Sequence, residues 1–144
     1  MSITCTRRIS WCAGHRVLGH EGKCALPHGH QYTAEITASP YGNLDKIGRV
    51  VDFSILKQVY QTFVDMEWDH GFLVSCEDTE LLNALNMVAG AKVCICQFNP
   101  TAENIAEFLV FDDRFVKALA QYKVVVEQVV VHETPNCSAC CTRR

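Results

Sequence analysis

His28, Gly29 and His30 stand together, with Cys24 four residues upstream. If residues 28–30 are extended, His28 and His30 project to the same face, because side chains alternate along a strand. Both imidazoles could then reach one ion, and Gly29 leaves room for close approach. A third ligand is needed. The preceding strand ends in CAGHRV, which makes His15 the natural candidate; His20 is a rival, weakened by the glycine-rich loop around it. Three histidines with one open position are the catalytic zinc pattern, whereas closed four-ligand sites are structural. Ligation by imidazole alone disfavours magnesium and calcium, which want oxygen. The bland alternative is a pair of exposed loop histidines.

Cys24 could be a buried structural thiol, a metal ligand, or a reactive thiolate beside a zinc ion and Lys23. A thiolate could act as base or nucleophile. As a fourth ligand it would make the site structural, and the residues alone leave these readings open. Asp69 and His70 are a surface pair or an Asp-oriented acid/base group. Glu133 ends a strand, where it is either solvated or able to accept two parallel hydrogen bonds from an amidine-like N–H pair, as in a guanine or pterin ring. By alternation His132 points to the other face. In PTAEN, Thr101 and Glu103 are explained by helix initiation. Cys137, Cys140 and Cys141 form a tail cluster with a single C-x-x-C spacing, which is weak support for a second zinc.

These groups need a scaffold. Residues 3–13 and 30–38 read as strands, the loop between them carrying the HGH motif. Residues 52–66 read as a helix, with Ser54 as N-cap and Ile55, Leu56, Val59, Phe63 and Met66 as its apolar stripe. Residues 67–73 read as a loop, 78–88 as a short helix and 91–98 as a strand. Thr101 caps a helix over 102–119, although the charged middle from Asp112 to Arg114 weakens the case for one unbroken helix. Residues 123–133 are the clearest strand, and the tail follows. The order predicts an α+β fold in one domain, 1–144, with a mostly antiparallel sheet. The long apolar ladder of 123–133 asks for cover, so oligomerisation that pairs sheet edges is expected.

The 144 residues and 16.1 kDa suit one domain with a sizeable core. A net charge of -3 and a pI near 6.0 give no basic footprint for nucleic acid or membrane. The N-terminus has no apolar signal segment and no run is long enough to span a bilayer, so a cytoplasmic protein is expected. Nine cysteines, an odd number mostly set singly in apolar segments, fit reduced thiols better than a disulfide framework.

Together the elements CAGHR, KCALPHGHQY, GRVVDFSILK, WDH, NPTAEN and HET, in that order over nearly the whole chain, resemble the 6-pyruvoyl-tetrahydropterin synthase / 6-carboxy-tetrahydropterin synthase family. Residues 71–98 carry little of the match. The resemblance implies a tunnelling fold, in which subunits join antiparallel sheets into a barrel, usually as hexamers, with sites at subunit interfaces. It implies Zn2+ on His15, His28 and His30, Cys24 as catalytic cysteine, and Asp69 with His70 as acid/base pair. Glu133 would anchor the pterin ring, with Thr101 and Glu103 near that pocket.

The three-residue gap between Cys24 and HGH, and the tail ETPNCSAC, resemble the 6-carboxy branch of the queuosine pathway. The pyruvoyl-forming branch usually has a longer gap. A third branch, in folate synthesis, relies on a glutamate that residues 24–27 lack. His132, Trp68 and Cys12 depart from the family's usual residues without removing a catalytic group. The implied reaction converts 7,8-dihydroneopterin triphosphate to 6-carboxy-tetrahydropterin, acetaldehyde and triphosphate. Lys23, Arg16 and Arg49 are the candidate cations for the triphosphate. A pyruvoyl-forming synthase and a non-catalytic zinc-containing pterin binder are the competing readings.

Overall fold

The computed structural model describes residues 2–144. The long hairpin β1 (Cys5–His15) and β2 (His28–Pro40) forms its centre, joined by a loop that contains a single 3-10 turn, Lys23–Ala25. Helix α1 (Phe53–Glu67) follows, then β3 (Gly71–Ser75), α2 (Thr79–Asn86) and β4 (Val93–Cys96). Helices α3 (Ala102–Phe111) and α4 (Asp113–Ala120) lead to β5 (Val124–Thr134) and β6 (Cys137–Thr142). One six-stranded sheet results, in the order β4-β3-β1-β2-β5-β6.

The α+β architecture agrees with the expectation, but the sheet is mixed. The β1–β2, β2–β5 and β5–β6 pairs are antiparallel, whereas β3 lies parallel to both β1 and β4. Residues 71–73, expected in a loop, belong to β3. Strand β6 lies outside the expected elements.

Alternate residues of the central strands are buried: Ile9, Trp11 and Ala13 on β1, Tyr32, Ala34 and Ile36 on β2, Val129 and Val131 on β5. They pack with Leu56, Tyr60, Ile105, Leu109 and Phe115 of the helices in one core. Fully burying each such side chain contributes about 1.5–3 kcal/mol. The α1 stripe is turned from the expected one. Leu56, Tyr60 and Val64 are fully buried, and Met66 is exposed. Its cap is Asp52, whose carboxylate accepts from the Ser54 amide, rather than Ser54. Thr101 caps α3 as expected, accepting from the Asn104 amide. The helix expected over 102–119 breaks at Asp112, whose amide closes α3 on Phe108 and whose carboxylate caps α4 through the Arg114 amide.

The sheet carries two irregularities. The β2–β5 register shifts between Thr37 and Ala38, and the β5–β6 register shifts between His132 and Thr134. The second leaves Glu133 out of step with the ladder, and such bulges re-aim side chains.

Candidate metal centre and active site

The hairpin register sets His15 directly opposite His28, with His30 two residues further along the same face. The three imidazoles meet edge to face, with centroids 4.6–5.1 Å apart. Tyr32, the next residue on that face, packs edge-on against His15 and His30 and is itself stacked on Trp11 at 5.1 Å. The triad therefore rests on a rigid aromatic floor.

The hydrogen bonds select the tautomers. His15 Nδ1–H donates to the Pro100 carbonyl at 2.7 Å, and His28 Nδ1–H donates to the Leu26 carbonyl at 2.7 Å. A carbonyl can only accept, so both hydrogens sit on Nδ1 and both Nε2 atoms present lone pairs. These two Nε2 atoms are 3.1 Å apart. His30 Nε2 is buried with no hydrogen-bond partner. The three ring nitrogens form a group within 4.8 Å of one another. A tetrahedral ion bound at about 2.0–2.1 Å needs nitrogens roughly 3.3 Å apart, so the donor set fits a zinc-sized ion. Burial pushes the His15 pKa down to about 4, with the Pro100 bond opposing and His28 and His30 adding to the shift; burial also lowers His30. Neutral imidazoles are what a metal requires.

Glu133 enters from its bulge. Its carboxylate lies 3.8 Å from His15 Nε2 and 3.8 Å from His30 Nε2. It also lines a cleft of about 320 Å³ together with Cys24, Thr101 and Glu103. Glu133 thus joins the triad to that cleft. His132 faces the other side of the sheet, with Nε2 3.8 Å from Glu35.

Asp69 and His70 do touch: His70 Nδ1 donates to the Asp69 carboxylate at 2.7 Å. The Cys12 amide donates to the other oxygen at 2.8 Å, and that bond, helped by His70, holds the Asp69 carboxyl below the usual carboxylate range. His70 itself stands in the left-handed region at φ 57 and is largely exposed. It opens on a second cleft, lined also by Cys12, Gly14, Gln31 and the triad residues His28 and His30. Within one chain, Cys24 and His70 therefore line different clefts.

His20 is outside the triad and lines the Cys24 cleft instead. Arg16 is bound by Asp78, Nε to Oδ2 at 2.6 Å, and by Glu80 at 3.0 Å. Arg49 is held by Asp45 and Asp52. Both are thereby poor candidates for a phosphate. Lys23 forms no ion pair among the described residues.

The sequence profile of 6-pyruvoyl tetrahydropterin synthase matches residues 4–144. The chain belongs to that family. Within the family, a 6-carboxy-5,6,7,8-tetrahydropterin synthase of Rickettsia bellii is 42% identical over 135 residues, covering 94% of this chain and 96% of that protein. The enzyme of the same name from Rickettsia felis is 39% identical over the same coverage. The family fold is visible in solved structures too. An uncharacterized protein from Wolinella succinogenes superposes with a TM-score of 0.84 at 20% identity, covering 100% of this chain and 99% of that one. The Caenorhabditis elegans 6-pyruvoyl tetrahydropterin synthase does so with a TM-score of 0.70 at 22% identity, over 99% and 96%. The chain has the α+β subunit fold of these synthases.

Proposed function

We propose that the protein is a zinc-dependent lyase that converts 7,8-dihydroneopterin triphosphate and one water to 6-carboxy-5,6,7,8-tetrahydropterin, acetaldehyde and triphosphate. One observation carries this reading. Three imidazole nitrogens converge beside a carboxylate, Glu133, that they share with the cleft of Cys24. The names of the Rickettsia relatives support the carboxy branch.

Zinc, when held by Nε2 of His15, His28 and His30, supplies Lewis acidity to the substrate's side-chain hydroxyls. Glu133 accepts the paired N–H groups of the amino-pyrimidine edge, and Thr101 and Glu103 flank the ring. Cys24 moves protons on the carbons next to the ring. Asp69, ionised through the Cys12 amide, keeps the hydrogen of His70 on Nδ1 and leaves Nε2 to exchange protons with the substrate. Lys23, the free cation beside Cys24, belongs to the triphosphate end.

Cys24 and His70 open on different clefts of one chain, and the sheet has open edges at β4 and β6. A homo-oligomer, a hexamer in this reading, with sites at subunit interfaces would bring the two groups to one substrate. No helix among the described residues is long and apolar enough to cross a membrane. That suits the cytoplasmic location we assign, as does a small polar substrate.

The deciding experiment is product analysis with zinc-loaded protein and 7,8-dihydroneopterin triphosphate. Acetaldehyde with a carboxylated pterin is the expected result. Triphosphate release with a pyruvoyl pterin and no acetaldehyde would assign the chain to the pyruvoyl-forming reaction instead, the activity in the family's name. A protein that binds pterin without turnover would be the non-catalytic reading.

A further inference from the structure

The cleft that holds Cys24 also contains an imidazole outside the triad. His20 lines it together with Thr101, Glu103, Glu133 and Cys137. The Gly22 amide donates to His20 Nδ1 at 2.8 Å. An amide can only donate, so Nδ1 is unprotonated and the neutral ring carries its hydrogen on Nε2. This is the reverse of the tautomer at His15 and His28, whose Nδ1 atoms are the donors. His20 is therefore built as a hydrogen-bond donor, where those residues are built as metal ligands.

The ring is also held in place. The His20 amide bonds the Val17 carbonyl at 3.2 Å, and a Cβ on Gly22 would stand 3.2 Å from the ring's Cε1. With Nδ1 occupied, Nε2–H is the one polar group the ring has left. Among the described residues it has no acceptor.

The polar groups that line the cleft are of two kinds. Glu103 and Glu133 offer acceptors and suit the donor edge of a ring. The β1–β2 loop contributes the His20 donor and the Cys24 thiol to the lining, and Lys23, which forms no ion pair among the described residues, precedes Cys24 in sequence. A donor and a cation together suit an anionic oxygen. Arg16 and Arg49, the other cations near the site in sequence, are occupied by carboxylates.

We propose that His20 is a substrate-binding residue whose Nε2–H donates to a phosphoryl oxygen of the polyphosphate chain. The inference deepens the pterin triphosphate reading and rests on it.

Three variants separate the donor from the loop contact. His20→Asn keeps an acceptor for the Gly22 amide and loses the donor at the Nε2 position. His20→Gln keeps a donor there. His20→Ala loses both. Calorimetric titration with inorganic triphosphate at fixed ionic strength needs no turnover. Hydrogen bonds to charged groups predict binding weaker by about 10- to 100-fold in His20→Asn and His20→Ala, with His20→Gln substantially restored. In turnover assays the KM for 7,8-dihydroneopterin triphosphate should rise in His20→Asn. Inhibition by unphosphorylated 7,8-dihydroneopterin should stay unchanged. Wild-type affinity for triphosphate in His20→Asn would overturn the proposal, as would an equal loss for the unphosphorylated pterin or wild-type protein that ignores triphosphate. Wild-type protein that binds triphosphate through His20 but handles no pterin would uphold this contact and overturn the pterin reading instead.

Discussion

His15 Nε2 lies 3.1 Å from His28 Nε2 while each ring gives its Nδ1 hydrogen to a backbone carbonyl. Neutral rings so arranged bring two lone pairs face to face, an arrangement that a cation between them relieves. His28→Ala should therefore strip the metal. Zinc per subunit, measured by atomic absorption, should fall toward zero. Turnover should fall with it by more than the about 100-fold that loss of an outer-shell partner can cost. Full zinc occupancy in this variant would take His28 out of the ligand set.

Cys24 separates from the ligands by the same logic. It lines the cleft that Glu133 shares with the triad but does not join the group of converging donor atoms. Cys24→Ala should keep its zinc and lose turnover by about 10²–10⁴-fold, the range of general acid–base catalysis. Zinc lost along with activity would make Cys24 a fourth ligand and the site a closed one.

Arg16 follows His15 directly, and its partner Asp78 is buried and also caps α2 through the Leu81 amide. The Arg16 guanidinium, with help from that amide and against the effect of burial, holds the Asp78 carboxyl below its ordinary value. A depressed folded pKa adds stability above the ordinary carboxylate pKa of about 3.9, and that stability is lost as pH falls below it. Urea midpoints measured from pH 6 down to pH 3 should drop less steeply in Asp78→Ala than in the wild type. At pH 7 the variant should be less stable by about 1–3 kcal/mol, because the cap on the Leu81 amide is lost and Arg16 keeps only the exposed Glu80 as a partner. An unchanged pH slope would rule the pair out as a source of acid sensitivity.

Gly14 makes the packing behind His15 possible. A Cβ there would overlap the ring of Phe72, its neighbour on the parallel strand β3. Gly14→Ala should cost about 1–3 kcal/mol, the usual range for overpacking. It should also weaken zinc retention against a chelator, since β1 must shift to admit the methyl group. A variant with wild-type stability and zinc retention would show that Phe72 simply swings away.

Much of the site was legible in the sequence because it depends on local periodicity. His28 and His30 share a face through strand alternation, and His132 falls on the other face for the same reason. Thr101 caps its helix through a hydroxyl three residues from the amide it serves. The two missed strands had non-local causes, and the helix break had a local one. The short apolar run of β3 reads as a loop until β1 and β4 flank it in parallel. The small and polar residues of β6 carry no buried stripe to betray a strand. Asp112 ends one helix and begins the next by using both its amide and its carboxylate, a choice that helical spacing does not reveal.

The sequence alone determined the ligand types, the shared face of His28 and His30, and the family to which the motifs point. These follow from side-chain chemistry and a two-residue repeat, both local. Only the tertiary structure decided that His15, and not His20, completes the triad, because the register of β1 on β2 sets His15 opposite His28. Only it showed Glu133 within 3.8 Å of two imidazoles, Arg16 claimed by Asp78, and Cys24 and His70 opening on separate clefts. Each of those depends on a partner more than ten residues away, and chain distance carries no information about which of several chemically equal partners a side chain will meet.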